Sequence, residues 1–285
     1  MTVLQYKIDF ALVLRVANAN PNGDPLNGNR PRTSYDGIGE ITDVCLKRKL
    51  RDRLQESGEA IYVQSDDRRI DEHRSLAERA KAVLGSKLGG PETVALACQA
   101  WFDVRAFGNL FAIKAAKKSK AKADVGDDSE SDTGISIGIR GPVTLQSAFS
   151  IQPVEITSTQ ITKSVSGEGD GTKRGSDTMG MKHRVDHGIY LSFGSINPQL
   201  AERTSFSGAD AAVLKAILPK LLENDASAAR PEGSMEVLKL VWWQHPSKSG
   251  LCSSAKVHRS LAVDSEGNVT VTKIDGLTEE IIDGF

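Results

Sequence analysis

The chain has 285 residues, of which 39% are hydrophobic and 26% are charged, and its formal net charge at pH 7 is −1. This composition is typical of one large globular domain with insertions, and the lack of any apolar run as long as a membrane span argues against a membrane protein. The three cysteines, at positions 45, 98 and 252, are odd in number and widely spaced, which predicts a reducing, cytoplasmic setting rather than a disulfide framework.

The first predicted elements are a strand and an asparagine-rich loop. Apolar residues alternate along 8–16 and predict a strand with one face on a core. The loop that follows, 18–32, reads NANPNGDPLNGNRPR. Asn and Gly accept positive φ and Pro excludes helix, so we expect an ordered loop rich in hydrogen-bond donors. Such a loop is suited to a phosphodiester or another anion, and its donors are Asn18, Asn20, Asn22, Arg30 and Arg32.

Two other interpretations of this loop stay open. One is a plain surface connection. The other is a calcium loop, because five residues fall at the first, third, fifth, sixth and seventh positions of an EF-hand: Asn18, Asn20, Asn22, Gly23 and Asp24. The calcium interpretation is weak, since the twelfth position holds Asn29 instead of glutamate and a strand leads into the loop.

A basic amphipathic helix is predicted over 41–54. Leu46, Leu50 and Leu54 recur every four residues and form an apolar face. Lys47 and Arg51 share another face, with Arg48 beside it. A solvated helix face is the ordinary explanation for such charges, but the adjacent loop favours phosphate binding.

The middle of the chain predicts a helical insertion over 57–113. It contains a short strand at 59–64 and helices at 69–84 and 92–105. Five lysines and then five acids follow in 114–133, a segment that cannot bury a core and is predicted to be a flexible charged loop.

The second half predicts strands, a long hairpin and one further helix. Strands are expected at 135–139 and 143–151, followed by a protruding hairpin, or thumb, over 156–185 with a glycine-rich tip at 167–175. Ser207 and Asp210 form a capping box that opens a helix toward Glu223, kinked by Pro219, and strands follow at 235–244 and 269–274. An acidic tail, 264–285, has a net charge of −5. The expected fold class is α+β, a single ferredoxin-like (RRM-like) palm over 1–285 with these insertions.

No catalytic or cofactor motif emerges from the residues. His183 and His187 lack a cysteine or glutamate arrangement that would complete a zinc site, and the glycines at 167–171 do not open a helix as a nucleotide-binding turn does. Aromatic residues are only 5% of the chain, so bases are not expected to be read by stacking on sheet aromatics. We expect a non-enzymatic protein without a cofactor, whose Arg, Lys and Asn donors grip the phosphates of a nucleic-acid backbone.

Several segments, in this order and spacing, resemble one protein family. They are NANPNGDP and DVCLKRKLRD near the start, WFDVRAFGNLF at 101–111, IGIRGPVTLQSAFSIQPVEI at 137–156, DTMGMKHRVDHGIYLSFGSIN at 177–197 and DASAARPEGSM at 225–235. The chain resembles the CRISPR-associated RAMP backbone subunits (the Cas-seven family) of type I Cascade complexes, and subtype I-C most of all.

The resemblance implies a subunit that polymerises head to tail along a CRISPR RNA and presents it for pairing with the complementary strand of target DNA. Its implied partners are copies of itself, a Cas-five-like processing subunit, and the large and small Cascade subunits. The residues expected to contact RNA are Asn18, Asn20, Asn22, Arg30, Arg32, Lys47, Arg48, Arg51, Lys163, Lys173, Arg174, Met179, Met181, Lys182 and His183.

The two methionines have two possible roles. Met179 or Met181 is expected to act as an apolar wedge against a splayed guide base, and packing in the core is an equally good alternative for both. A metal-dependent endoribonuclease is the alternative function, because Asp24 and Asp36 lie where related type III subunits carry a cleaving aspartate. The resemblance is to type I subunits, which do not cut RNA.

Overall fold

The computed structural model describes residues 2–113, 135–162 and 179–285. Its strands are β1 (Ile8–Ala19), β2 (Gly23–Asp24), β3 (Arg30–Pro31), β4 (Ile38–Ile41), β5 (Gly108–Ile113), β6 (Ile135–Arg140), β7 (Val143–Leu145), β8 (Ala148–Pro153), β9 (Ile156–Thr162), β10 (Met179–Ile196), β11 (Met235–Gln244), β12 (Leu261–Val263), β13 (Val269–Val271) and β14 (Thr278–Asp283). The α-helices are α1 (Asp43–Glu56), α2 (Leu76–Leu84), α3 (Thr93–Ala100), α4 (Phe102–Phe107), α5 (Pro198–Thr204), α6 (Gly208–Ile217) and α7 (Ser254–His258). Helices and strands are thus mixed, as α+β predicts.

An eight-stranded sheet forms the centre of the fold. Its main path runs β14–β11–β1–β10–β8–β4, with every neighbouring pair antiparallel, and β7 and β9 also pair with β10. The ladder between β1 and β10 extends from Ile8↔Ile196 to Ala19↔Val185. These two strands therefore hold the sheet together.

Both faces of β1 are buried, and not the single face that its alternating sequence predicts. Phe10 faces the main core, which also contains Leu50 of α1 and Leu214 of α6. On the opposite face Ala11 packs in a second core with Val257 of α7. The sheet is consequently covered on two sides at this strand.

The strand expected at 59–64 does not form. The backbone N–H groups of Tyr62 and Val63 instead donate to the carboxylate of Asp103, over 2.7 and 3.0 Å. The buried Asp103 carboxylate thus accepts from N–H groups that would otherwise donate to the carbonyls of a neighbouring strand. Tyr62 also packs with Trp101 and Phe111 in a small core of its own.

The helices of this region are shorter than the sequence predicts. The helix expected from residue 69 begins at Leu76, because the Ser75 hydroxyl accepts from the N–H of Glu78 and caps it there. The helix expected over 92–105 is divided at Trp101, whose backbone is extended, and the N–H of Phe102 donates to the carbonyl of Ala60. Hydrogen bonds to residues outside the helices thus set the start of α2 and the break between α3 and α4.

The C-terminal elements are partly as expected. The capping box of Ser207 and Asp210 is confirmed at the start of α6, and a 3₁₀ turn, Leu218–Lys220, follows that helix. The acidic tail, however, contains an edge strand, β14. Lys215 pairs with Glu280 at 2.6 Å, and Lys239 pairs with Asp283. Charged side chains on an edge strand discourage pairing with foreign sheets.

Gly194 of β10 tests how closely the central ladder is packed. A Cβ at this position would lie 2.1 Å from Cζ of Phe10 in β1. We expect Gly194→Ala to lower the free energy of unfolding by about 1–3 kcal/mol, because the Phe10 ring must shift in a dense core. Urea unfolding measures this change.

Gly180, in the same strand, provides the matched control. A Cβ there would lie 3.5 Å from Ile161, which is ordinary contact. Gly180→Ala should leave stability unchanged within about 0.5 kcal/mol or raise it slightly. Equal losses in the two variants would contradict the packing described here.

Candidate nucleic-acid interface

The asparagine-rich loop (18–32) begins where an extended arm leaves the sheet. The arm is the antiparallel pair of β9 with Met179–Val185 of β10. The ladder between β1 and β10 ends at Ala19↔Val185, so the chain enters the loop beside the first pair of the arm. The strand register therefore places the start of the loop beside the root of the arm, which is the end of the arm next to the sheet.

The loop is ordered, as its sequence predicts. Strands β2 and β3 pair within it. Asn18, Gly28 and Asn29 adopt left-handed backbone conformations with φ of 55°, 56° and 59°, which asparagine and glycine tolerate best. A Cβ at Gly23 would lie 2.0 Å from Oδ1 of Asn29, so a larger residue there would displace the Asn29 side chain.

Two of the predicted donor residues, Asn20 and Asn22, form side-chain hydrogen bonds inside the protein. Asn20 is buried, and its Nδ2 donates to the carbonyl of Asn29 at 2.7 Å. Oδ1 of Asn22 accepts from both the N–H and the hydroxyl of Thr42, each at 2.9 Å. Because Thr42 is the N-cap of α1, Asn22 fastens the loop to that helix. The exposed side chain among the three asparagines is that of Asn18.

Arg30 connects the loop to the arm. Its Nη1 donates to Oγ of Ser158 on β9 at 2.9 Å, and the same oxygen lies 2.8 Å from Nδ1 of His183 on β10. We call these three residues the arm-root cluster. Among the described residues no carboxylate forms an ion pair with Arg30, so most of its N–H donors remain available to an anion.

The outer part of the arm carries exposed apolar side chains. Met179 is 65% exposed and Met181 is 54% exposed, so the core-packing alternative does not apply to them. Because side chains alternate along a strand, both lie on the face of His183, whereas Lys182 points to the opposite face. Polarisable thioethers on this face are suited to contact with a base.

Arg32 braces the loop from within. Its Nη2 lies 3.3 Å from Oδ1 of Asp24, and that oxygen also accepts from the N–H of Leu26. These contacts occupy the one carboxylate of the proposed calcium loop. In the part of the chain that the structure describes, no three His, Cys, Asp or Glu side chains converge on a metal position.

The cations of α1 are paired with carboxylates of this chain. Lys47 lies 3.0 Å from an aspartate one turn earlier, and Arg48 lies 3.7 and 3.5 Å from two others. Nε of Arg51 lies 3.1 Å from Oδ2 of Asp103, a carboxylate that is 1% exposed. Within residues 2–113, 135–162 and 179–285, no hydrogen bond or ion pair joins these three cations to the arm-root cluster.

An ionic cluster surrounds the buried ammonium group of Lys49 in α1. Lys49 pairs with Asp225, which also accepts from Nε of Arg230 at 2.9 Å. Burial lowers the pKa of Lys49, and the Asp225 carboxylate opposes that shift. Burial likewise raises the pKa of the Cys45 thiol, so the thiol stays protonated at neutral pH. The Asp225 carboxylate therefore holds both cations, Lys49 and Arg230, in place.

Several expectations fall on residues outside the described ranges: Lys163, Lys173, Arg174, the tip at 167–175 and the charged segment 114–133. Conversely, sequence reasoning missed Ser158 and Asp225. A serine in the strand sequence ITSTQIT carries no distinguishing signal, and only strand register shows that it faces His183. No helix among the described residues is both long and apolar enough to cross a bilayer.

The protein-family model described as CRISPR-associated protein Cas7 matches residues 6–281. The chain belongs to the Cas7 family. A CRISPR-associated protein Cas7 from Haloferax volcanii is 32% identical over 238 residues, which cover 80% of this chain and 67% of that protein. The loop, α1 and the described arm all lie within the range that the family model matches.

Two solved structures are also similar to this Cas7 chain. One belongs to a CRISPR RNA-guided surveillance complex, pre-nicking, with a TM-score of 0.45 and 15% identity, over 83% of this chain and 78% of that one. The other belongs to a CRISPR RNA-guided surveillance complex, with a TM-score of 0.39 and 14% identity, over 83% and 68%. Family membership stands on the sequence matches.

Arg51 and Arg30 should differ in what they contribute to stability. Arg51→Ala leaves the buried Asp103 carboxylate without its cation, so we expect the free energy of unfolding to fall by about 3 kcal/mol. Arg30→Ala removes one exposed hydrogen bond and should cost about 0.5 kcal/mol or less. Urea unfolding compares the two variants. A larger loss from Arg30→Ala would contradict this assignment.

Proposed function

We propose that this Cas7 chain is a non-catalytic, CRISPR RNA-binding backbone subunit of a type I Cascade complex, of subtype I-C. The observation that carries the proposal is the arm-root cluster. A guanidinium that pairs with no carboxylate of the described residues, a hydroxyl and an imidazole lie on the same arm face as two exposed methionines. This juxtaposition suits one phosphate and the base attached to it.

The grip is on the RNA backbone rather than on base edges. Both faces of β1 are buried, so this central strand offers no open aromatic platform for stacking. The donors at the arm root are a guanidinium and an imidazole, which suit phosphate oxygens of any sequence. A guide-holding subunit needs this property, because it must carry any spacer and leave base edges free for pairing.

The proposed assembly is a head-to-tail filament. Contacts that do not close into a ring generate a helix, and the guide sets its length. In this arrangement the eight-stranded sheet is the RRM-like palm, the helical region 57–113 is the fingers and the arm is the thumb. Each thumb crosses onto the neighbouring copy and displaces a guide base, so that the guide pairs with target DNA in segments.

Other subunits supply the remaining activities. A Cas-five-like subunit processes the precursor RNA, the large subunit recognises the protospacer-adjacent motif, and the small subunit completes the complex. A recruited helicase-nuclease cuts the DNA, and the setting is the cytoplasm. Of the two aspartates on which the endoribonuclease alternative depends, Asp24 is bound to Arg32 and to the N–H of Leu26.

Co-expression of the full chain with a CRISPR array tests the proposal. We expect the purified protein to carry RNA enriched in guide sequence, and to sediment as assemblies that fall apart after ribonuclease treatment. Arg30→Ala should reduce the bound RNA equally for every spacer, because phosphate contacts carry no sequence information. Incubation with Mg²⁺ should leave the RNA intact.

An unrelated array provides the control for spacer dependence. A protein that came away free of RNA and remained a monomer at low ionic strength would contradict the proposal. Cleavage of bound RNA that disappears in Asp24→Ala or Asp36→Ala would favour the endoribonuclease instead.

A further inference from the structure

We propose that Ser158 is a positioning residue that couples Arg30 to His183, so that both donate to the same phosphodiester of the bound RNA. This inference rests on the function proposed above and assigns a role to a residue with no sequence signal. Three elements meet here: Arg30 comes from β3, Ser158 from β9 and His183 from β10.

The hydroxyl of Ser158 can form one hydrogen bond with Arg30 and another with His183. Nη1 of Arg30 donates to Oγ of Ser158 at 2.9 Å, which uses one lone pair of that oxygen. Nδ1 of His183 lies 2.8 Å from the same oxygen, and in the proposed arrangement it accepts the hydroxyl proton. A neutral imidazole that accepts at Nδ1 carries its own proton on Nε2. In this arrangement Ser158 favours the ring form whose other nitrogen, Nε2, is a donor.

The same hydroxyl also orients the guanidinium. Arg30 has five N–H donors, and one of them is used by Ser158. A long arginine side chain loses much rotamer freedom on binding, so a bond that fixes it beforehand lowers the cost of gripping phosphate. The remaining guanidinium donors and Nε2–H of His183 then form a pre-arranged set for phosphate oxygens.

The charged side chains of the neighbouring strands face away from the arm-root cluster or pair with each other. Lys182 and Arg184 flank His183 on β10 but point to the opposite face, where Arg184 lies 3.3 Å from Asp186. The described residues of β9 include no titratable side chain. Asp24, across the β2–β3 pair from Arg30, is paired with Arg32. Among the described residues, none of these carboxylates competes for Arg30.

Affinity measurements with the full-length protein and three fluorescent RNA oligonucleotides of unrelated sequence test the inference. Ser158→Ala should weaken binding about three- to tenfold, by the same factor for each RNA, because hydrogen bonds to charged groups are lost. Ser158→Thr, which restores the hydroxyl, should recover most of that loss. Thr159→Ala is the matched control, since it removes a hydroxyl from the opposite arm face and should leave affinity unchanged.

A double-mutant cycle shows whether Ser158 acts through Arg30. In an Arg30→Ala background, Ser158→Ala should weaken binding by a smaller factor than in the wild-type background, because only its bond to His183 remains to be lost. Wild-type affinity in Ser158→Ala, no rescue by Ser158→Thr, or the same loss in both backgrounds would overturn the inference. If the wild-type chain binds none of the three RNAs, the proposed function fails as well. Thermal unfolding of each variant verifies that it is folded.

Discussion

The register between β1 and β10 is the constraint on which the rest of the interface depends. β10 has eighteen residues: its C-terminal part lies in the sheet, and its first residues form one side of the arm. Val185, at the boundary, is fully buried, so the arm continues a core strand without a flexible joint at this point. Because β1 ends at the same boundary, the loop that follows it must start beside the arm root. The core thereby fixes which loop residue meets which arm residue.

Most of the positive charge near the loop is neutralised by carboxylates of the same chain. Its net charge is −1, and the cations of α1 are paired with carboxylates, as Arg51 is with Asp103. Arg30 differs because its described partner is a neutral hydroxyl. A few placed donors, rather than a broad basic surface, then account for RNA affinity in the proposed function. Such an arrangement limits non-specific attraction to nucleic acid, since that attraction grows with the number of phosphates neutralised.

Local patterns predicted much of the fold. The strand at β1, the apolar face of α1 and the capping box of α6 each depend on neighbours in sequence, and each is present, although β1 is buried on both faces and not on one. The strand expected at 59–64 is absent because its donors bind Asp103, some forty residues away. In the interface, the sequence predicts Arg30 and leaves the two methionines open between a wedge and the core, whereas it predicts neither Ser158 nor the internal roles of Asn20 and Asn22. Those roles are set by register and tertiary hydrogen bonds, which no local pattern encodes.

Photo-crosslinking of the full chain to 4-thiouridine RNA, followed by mass spectrometry of the linked peptides, tests the central claim most directly. If strand register creates the binding surface, crosslinks will concentrate in two segments that are distant in sequence, 18–32 and the arm strands β9 and β10. Both segments should be linked by the same short RNA. Crosslinks confined to α1, or to the C-terminal segment 245–277, with the loop and the arm unlabelled, would contradict the account.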